Sequence, residues 1–529
     1  MNFRKLLSII SLAAVLVLML SGVALAQDAP DLAVVAATTA DTTTSVNVMW
    51  MLLAGFLVFF MQAGFALVET GFTRAKNVAH TMMMNMMVFC IGALGYYFVG
   101  FALQFGAVNH TYPDINNLGA WAFSPVTLGD WSGILDNGIV LNGQWGVMGL
   151  SGFMLSGLTA NFGVLAFFLF QMVFMDTAAT IPTGSMAERL NFKGFILMGL
   201  WVSMFIYPVV GMWVWGGGWL ANLGRTMGFG NGAVDFAGSG VVHMIGGTTA
   251  LIGAIVIGPR IGRFNKNGTA NAIPGHNIPM GILGTIILFF GWFGFNPGSS
   301  LGFTGPFRDL AVIAAVNTLL AGAAGGISAM FYMWWFSPAK KPDPAMSVNG
   351  LLAGLVAITA PCAFVDTWAA VVIGLIAGVL VALATTVLEK MHIDDPVGAA
   401  PVHLVNGMWG VLAVGIFANG NPLTAAWNGV PSPVTGLLYG NTGQFMAQLI
   451  EVVAIFVTVF VLGWVFFKIV NAIGWLRSSP AEELAGLDLP EMGAPGYTND
   501  DMVMHGGMPG PRFKGATSAL RPASSTGKS

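Results

Sequence analysis

Apolar stretches of about 20 residues recur along most of this chain, and the segments between them are short and hold polar, Gly/Pro or basic residues. About 20 residues of helix cross a hydrocarbon core of ~30 Å, and inside lipid the backbone has only itself to hydrogen-bond with. A chain patterned in this way is confined to a bundle of membrane-spanning helices. Composition agrees, with 56% of residues hydrophobic and 8% charged, where a soluble domain carries roughly a quarter charged. The expected fold class is an all-α polytopic membrane protein forming one membrane domain. With a net charge of −3 and no basic run, nothing in the sequence suggests a nucleic-acid partner, and none is expected. Cys90 and Cys362 both lie in apolar stretches, far from any metal-type spacing, and read as small buried hydrophobes.

The N-terminus carries Arg4 and Lys5, an apolar run and then Ala24-Leu25-Ala26. This is the pattern of a signal peptide over 1–26 cleaved after Ala26, the alternative being an uncleaved first helix. An extracytoplasmic segment over 27–46, a membrane domain over 47–474 and a cytoplasmic tail over 475–529 follow from it. About eleven spans are expected, near 48–70, 80–104, 150–185, 194–215, 236–257, 278–296, 308–336, 348–365, 367–388, 398–418 and 444–471. The third and seventh have the least sharply marked boundaries. Arg74 and Lys76, Arg189 and Lys193, Arg260 to Lys266, Lys340 and Lys341, and Lys390 fill alternate connections, whereas the others hold only Arg225 and Arg308. The positive-inside rule makes the basic loops cytoplasmic, the mature N-terminus external and the tail internal.

Val242-His243-Met244-Ile245-Gly246-Gly247 echoes Val402-His403-Leu404-Val405-Asn406-Gly407, in the fifth and tenth expected spans. That spacing implies an inverted repeat of five helices plus five, followed by a long final helix, and transport sites form where such repeats meet. His243 and His403 are also the two histidines set well inside apolar helices, where an ionisable side chain marks a pathway or a proton relay. Either imidazole can pass a proton or accept a hydrogen bond without holding a fixed charge. Asp235 precedes His243 by eight residues, ~12 Å along a helix. Two readings of it stand: a helix cap, or a fixed negative charge that favours a cation in an outer vestibule. Trp213 and Trp219 suit interface anchoring, whereas Trp215, beside Gly216-Gly217-Gly218, is placed to offer its π-face to a small cation. Phe170 and Phe174 form an i, i+4 pair, and Phe295 precedes Asn296-Pro297-Gly298-Ser299; by periodicity alone these are packing residues.

Several stretches together resemble the ammonium transporter family (Amt/Mep/Rh), in its bacterial Amt form. They are Asp235-Phe236-Ala237-Gly238-Ser239-Gly240-Val241-Val242-His243, Arg74-Ala75-Lys76-Asn77, Trp215-Gly216-Gly217-Gly218, Pro274-Gly275-His276-Asn277-Ile278-Pro279, Gly291-Trp292-Phe293-Gly294-Phe295-Asn296-Pro297-Gly298-Ser299 and Asp394-Asp395-Pro396-Val397-Gly398. The resemblance implies that Trp215, Phe174 and Ser299 bind ammonium, with Phe170 lining the vestibule. It further implies that Phe174 and Phe295 form a stacked gate and that His243 and His403 are paired in the pore. A homotrimer and a PII-type signal protein at the cytoplasmic face are implied as well, and no cofactor. Ser479 to Asp488 is similar to the family's cytoplasmic tail. Glu69 and Thr70, the long loop from about Phe105 to Gly146 and the extension past Tyr497 depart from the pattern, and Glu69 is expected to pair with Arg74 or Lys76.

The function this implies is ammonium transport, not enzymatic catalysis. Ammonium is held by cation–π contact and a hydrogen bond that potassium cannot make, is deprotonated, and crosses as ammonia along the histidines, with a proton passed through the imidazoles. A neutral ammonia channel of Rh type and an ammonium sensor with the same fold are the competing readings. A metal site built from Asp235, His243 and His403 is disfavoured by the ~12 Å offset.

Overall fold

The computed structural model describes residues 11–13, 32–111, 135–159, 162–425, 427 and 430–497. The expected signal peptide, apart from three residues, and the tail beyond Tyr497 lie outside the described residues. Short π and 3-10 turns are counted here with the helices they interrupt. The bundle then consists of α1 (Leu32–Phe72), α2 (Ala75–Phe105), α3 (Phe162–Met186), α4 (Phe192–Val214), α5 (Ser239–Ile257), α6 (Ile278–Ser300), α7 (Pro306–Phe336), α8 (Pro344–Thr359), α9 (Thr367–Lys390), α10 (Ala400–Phe417) and α11 (Thr442–Ala472). Among the described residues, all but α8 are long and apolar enough to cross a bilayer. The chain is a multi-pass helical membrane protein.

Three expected boundaries move. The first helix begins at Leu32, so the described part of the expected external segment is helical; α1 is 41 residues long, ~60 Å at 1.5 Å per residue, and overshoots the hydrocarbon core. Thr38, Thr39 and Thr42 bond back to the carbonyls of Val34, Val35 and Thr38, each at 2.8 Å, which satisfies these hydroxyls within the exposed first turns. The third span starts at Phe162, not near 150. Ahead of it the long loop closes in an antiparallel hairpin, β1 (Gly138–Leu141) with β2 (Trp145–Gly149), turned by Asn142 and Gly143 at φ 52° and 69°, the Asn-Gly signal of a tight hairpin. The hairpin is an addition to the all-α expectation.

The eighth span ends at Thr359, earlier than expected, because its last carbonyls find partners elsewhere. Ser239 Oγ donates to Val356 O at 2.7 Å, Ala237 N to Thr359 O at 3.1 Å and Phe236 N to Ala360 O at 3.2 Å. Carbonyls freed at a helix end need such donors when buried. They come here from the segment that opens α5, so α8 braces the start of the helix that carries His243.

The repeat proves deeper than the six-residue echo. Asp235 accepts from the N–H groups of Gly238, Ser239, Gly240 and Val241 at 2.7–3.0 Å, and Asp395 accepts from those of Gly398, Ala399 and Ala400 at 2.8–3.1 Å. Each aspartate thus caps its helix start. A π turn follows in each case, Ser239–Met244 and Ala400–Val405, and holds the histidine. Four residues on, Gly247 and Gly407 let the two helices touch. A Cβ on Gly247 would lie 2.2 Å from Leu404 N, and one on Gly407 2.6 Å from Ser239 O.

One end of the bundle gathers the basic connections and is called the basic face below. Glu188, in the left-handed region at φ 72°, binds Arg74 and, at 3.0 Å, Arg260. Arg260 also grips Asp394 with two nitrogens at 2.8 and 3.0 Å. Burial alone would push the Asp394 carboxyl up, but the Arg260 hydrogen bonds and the charges of Arg189 and Arg260 outweigh it and hold it at about 2. Arg189 is fully buried and donates to the carbonyls of Ser185, Ala187, Gly258 and Asp394, tying the ends of α3 and α5 to the segment before α10.

The tail folds back over this face. A short helix, α12 (Pro480–Ala485), starts with a capping box from Ser479 and Glu482. Glu483 meets Arg477 at 2.7 Å and accepts from Ile261 N, and Lys76 donates to the carbonyls of Glu483 and Leu484. Leu487 N donates to Asn77 Oδ1, and Glu491 receives Phe192 N and His80 Nε2.

Candidate substrate pore

A column of rings runs through the bundle. Phe170 lies 4.6 Å from Phe174, centroid to centroid, and Phe174 stacks on Phe295 at 4.0 Å and 22°. Phe295 lies 5.6 Å from His243, which stacks on His403 at 5.2 Å and 24°; Phe65 follows at 6.3 Å. Five helices supply these rings: α3, α6, α5 and α10, and α1 at the end. Phe170, Phe174 and Phe295 are fully buried, and their i, i+4 and helix-end spacing reflects this shared column as well as packing.

His243 Nδ1 and His403 Nδ1 are 3.1 Å apart. Two neutral imidazoles so placed share one proton: one ring donates from Nδ1 and carries no hydrogen on Nε2, and the other accepts and is protonated at Nε2. Moving a proton along the pair exchanges the two roles, which is the property a relay needs. His243 Nε2 is buried and has no hydrogen-bond partner in the protein, and the Trp292 ring stacks on the imidazole at 5.3 Å. Trp292 is itself fixed by its Nε1–H bond to Thr359 Oγ1 at 3.0 Å.

Away from the basic face, the ring column opens into a recess of ≈ 20 Å³, room for about one water-sized molecule. Trp215, Phe170, Phe174 and Ser299 all line it, so these four sequence-identified residues meet in one place. Trp215 is buried, sits edge-on to Phe174 at 6.0 Å and 70°, and donates its Nε1–H to Asp235 O at 2.7 Å. Asp235 therefore holds the tryptophan by its carbonyl and the start of α5 by its carboxylate. The carboxylate is occupied by backbone N–H groups, in the manner of a helix cap. The Ser299 hydroxyl donates to Phe295 O at 2.9 Å, so its proton is committed and its lone pairs are left as acceptors.

The recess also holds residues that sequence reasoning missed. Gln171 Oε1 is buried without a hydrogen-bond partner in the protein. Its signal was a single amide in the apolar run between Phe170 and Phe174. Trp427 and Phe236 stack at 4.7 Å on another side of the recess, and Trp427 Nε1 donates to Ser299 O at 2.9 Å. Trp213 donates its Nε1–H to Val147 O of the hairpin at 3.0 Å.

Glu69 corrects another expectation. It pairs with neither Arg74 nor Lys76, because Glu188 takes the first and the tail carbonyls take the second. Asn85 and Thr183 hold it instead, at 2.8–2.9 Å, where it lines a second recess of ≈ 30 Å³ beside His403.

Residues 49–497 match the model of the Ammonium Transporter Family. Ammonium transporter Amt2 of Archaeoglobus fulgidus is 45% identical over 458 residues, covering 86% of this chain and 88% of that one. Ammonium transporter 1 member 3 of Solanum lycopersicum is 36% identical, over 87% of this chain and 94% of its own. Among solved structures, a sensor Amt protein superposes with a TM-score of 0.71 at 35% identity, covering 85% of this chain and 99% of that chain. Mep2 of Candida albicans superposes with a TM-score of 0.67 at 25% identity, over 83% and 87% of the two chains. With the match running through the whole bundle and into the docked tail, the chain belongs to the ammonium transporter family.

Proposed function

We propose that this protein carries ammonium across the inner (plasma) membrane. Ammonium enters the recess, where Trp215 and Phe174 present aromatic faces and Ser299 an acceptor oxygen, with Phe170 on the wall. Four N–H donors distinguish ammonium from potassium there, because an acceptor with its own proton committed rewards a donor and offers a bare cation less. Phe174 and Phe295, stacked at 4.0 Å, close the way onward and act as the gate. Below this gate ammonium gives up its proton to the imidazole pair, ammonia crosses along His243 and His403, and the proton follows through the imidazoles. The observation that carries this reading is the 3.1 Å contact between the two Nδ1 atoms, in line with the ring column.

The domain arrangement we infer is a leader over 1–26, a short segment to residue 46, the membrane domain over 47–474 and a tail over 475–529. The basic face is cytoplasmic and the mature N-terminus external by the positive-inside rule. The working assembly is a homotrimer with one pore per subunit, and the basic face is where a PII-type protein docks.

The test is current across a solid-supported membrane after an ammonium step, with purified protein in liposomes and His243→Ala and Trp215→Leu beside the wild type. Current with ammonium but not potassium, lost or made unselective in His243→Ala, supports the reading. Internal alkalinisation without current identifies a neutral ammonia channel. Absence of both points to sensing, the role printed in the name of one solved relative.

A further inference from the structure

Glu69 is 3% exposed, at the basic-face end of α1, one turn beyond Phe65. Among the described residues no Lys or Arg nitrogen pairs with it. Asn85 from α2 and Thr183 from α3 bond to it, and are themselves tied to the carbonyls of Thr81 and Thr180; Asn349 from α8 and His403 from α10 line the same recess, and Asp395 caps the helix that carries His403. Gly184 makes the space: a Cβ there would lie 2.5 Å from Val397 Cγ2 and 3.3 Å from the carboxyl carbon of Glu69.

The hydrogen bonds around this carboxyl do not fix its proton. Asn85 Nδ2 donates to Oε2 at 2.9 Å. Thr183 Oγ1 lies 2.8 and 2.9 Å from the two carboxyl oxygens and 2.6 Å from Thr180 O. Thr183 has one hydroxyl proton for three acceptors. As a carboxylic acid, Glu69 donates to Thr183 Oγ1, whose own proton then goes to Thr180 O. As a carboxylate, Glu69 takes the Thr183 proton and Thr180 O goes without. The cluster has two arrangements, separated by one proton and the rotation of one hydroxyl, and it borders the recess where a molecule leaving the histidines arrives.

We propose that Glu69 returns the proton to ammonia at the basic-face end of the pore, an inference that rests on the transport reading above. The Glu69 O–H bond breaks as an N–H bond forms, leaving ammonium against a carboxylate. The carboxylate is reprotonated by the proton that ammonium released below the Phe174 and Phe295 gate, relayed through His243 and His403. Ammonium then departs through the basic face, and charge and atoms balance over the cycle.

Glu69→Gln retains an amide able to donate to Thr183 and accept from Asn85 but cannot exchange a proton. The experiment uses full-length protein in liposomes, reading current and internal pH together after an ammonium step, for wild type, Glu69→Gln and Glu69→Asp. The expected result is a current at least tenfold smaller in Glu69→Gln, replaced by internal alkalinisation as ammonia crosses without its proton, with part of the current kept in Glu69→Asp. Wild-type current in Glu69→Gln overturns the proposal. So does loss of both signals, which assigns Glu69 to packing. If the wild type itself carries no current, the electrogenic reading fails first and this one fails with it, an outcome told apart by the wild-type trace alone.

Discussion

Ser299 shows how much a single committed proton decides. With its hydroxyl hydrogen on Phe295 O, the oxygen is an acceptor, and on the proposed reading removing it takes one hydrogen bond from ammonium while leaving the aromatic faces. A hydrogen bond to a charged group is worth about 1.5–3 kcal/mol, so Ser299→Ala is expected to raise the ammonium concentration for half-maximal current by roughly 10- to 100-fold. The concentration dependence of the current checks this; an unchanged midpoint would mean the oxygen does not touch the substrate. His243, His403 and Trp215 were legible because rare chemistry in an apolar helix, or an aromatic beside a glycine turn, stands out, whereas Phe174 entered only through the family resemblance. Gln171 and the true partners of Glu69 were not. Which carboxylate takes Arg74 is settled by Glu188, 114 positions away, and no local pattern encodes that choice.

At the scale of elements, the informative feature is the contact between α5 and α10. Gly247 touches the backbone of His403 and Leu404, and a methyl group there would meet Leu404 N at 2.2 Å, a distance only backbone movement can relieve. Overpacking of this kind costs about 1–3 kcal/mol. Gly247→Ala is therefore expected to lower the thermal midpoint and to reduce current severalfold, since the imidazoles cannot stay in hydrogen-bond contact as the helices part. Thermal unfolding in detergent and current in liposomes measure the two effects. Hydropathy disclosed the number of the helices, and the echo around His243 and His403 their repeat. They could not disclose that α8 stops at Thr359, because that end is set by donors on Ser239, Ala237 and Phe236. Nor could they delimit α1, whose exposed first turns continue a helix without the burial that hydropathy tracks.

For the whole molecule, the ion network on the basic face fixes how the halves of the repeat hold together. Asp394 is depressed to about 2, below its unfolded value of about 3.9. A depressed carboxylate stabilises the fold fully above its unfolded value, and that contribution is lost as pH falls through the folded one. Asp394→Asn leaves Arg260 short of a partner, and breaking a buried pair costs about 3–5 kcal/mol. The expected result is a lower thermal midpoint than wild type throughout neutral pH, with the gap narrowing below about pH 4. An equal gap at every pH would assign the loss to something other than charge.

The docked tail has a consequence in time. Leu487 bonds to Asn77, 410 residues earlier in the chain, and a ribosome adding about 5–20 residues per second needs roughly 20–80 s to reach Leu487 after Asn77. For that interval the loops that open α2 and α4 wait without the partners that later cover them. The basic-face surface of the first repeat is thus finished by residues of the tail made long after it, and a chain that stopped before Arg477 would contain every ring of the pore yet leave that surface unsealed.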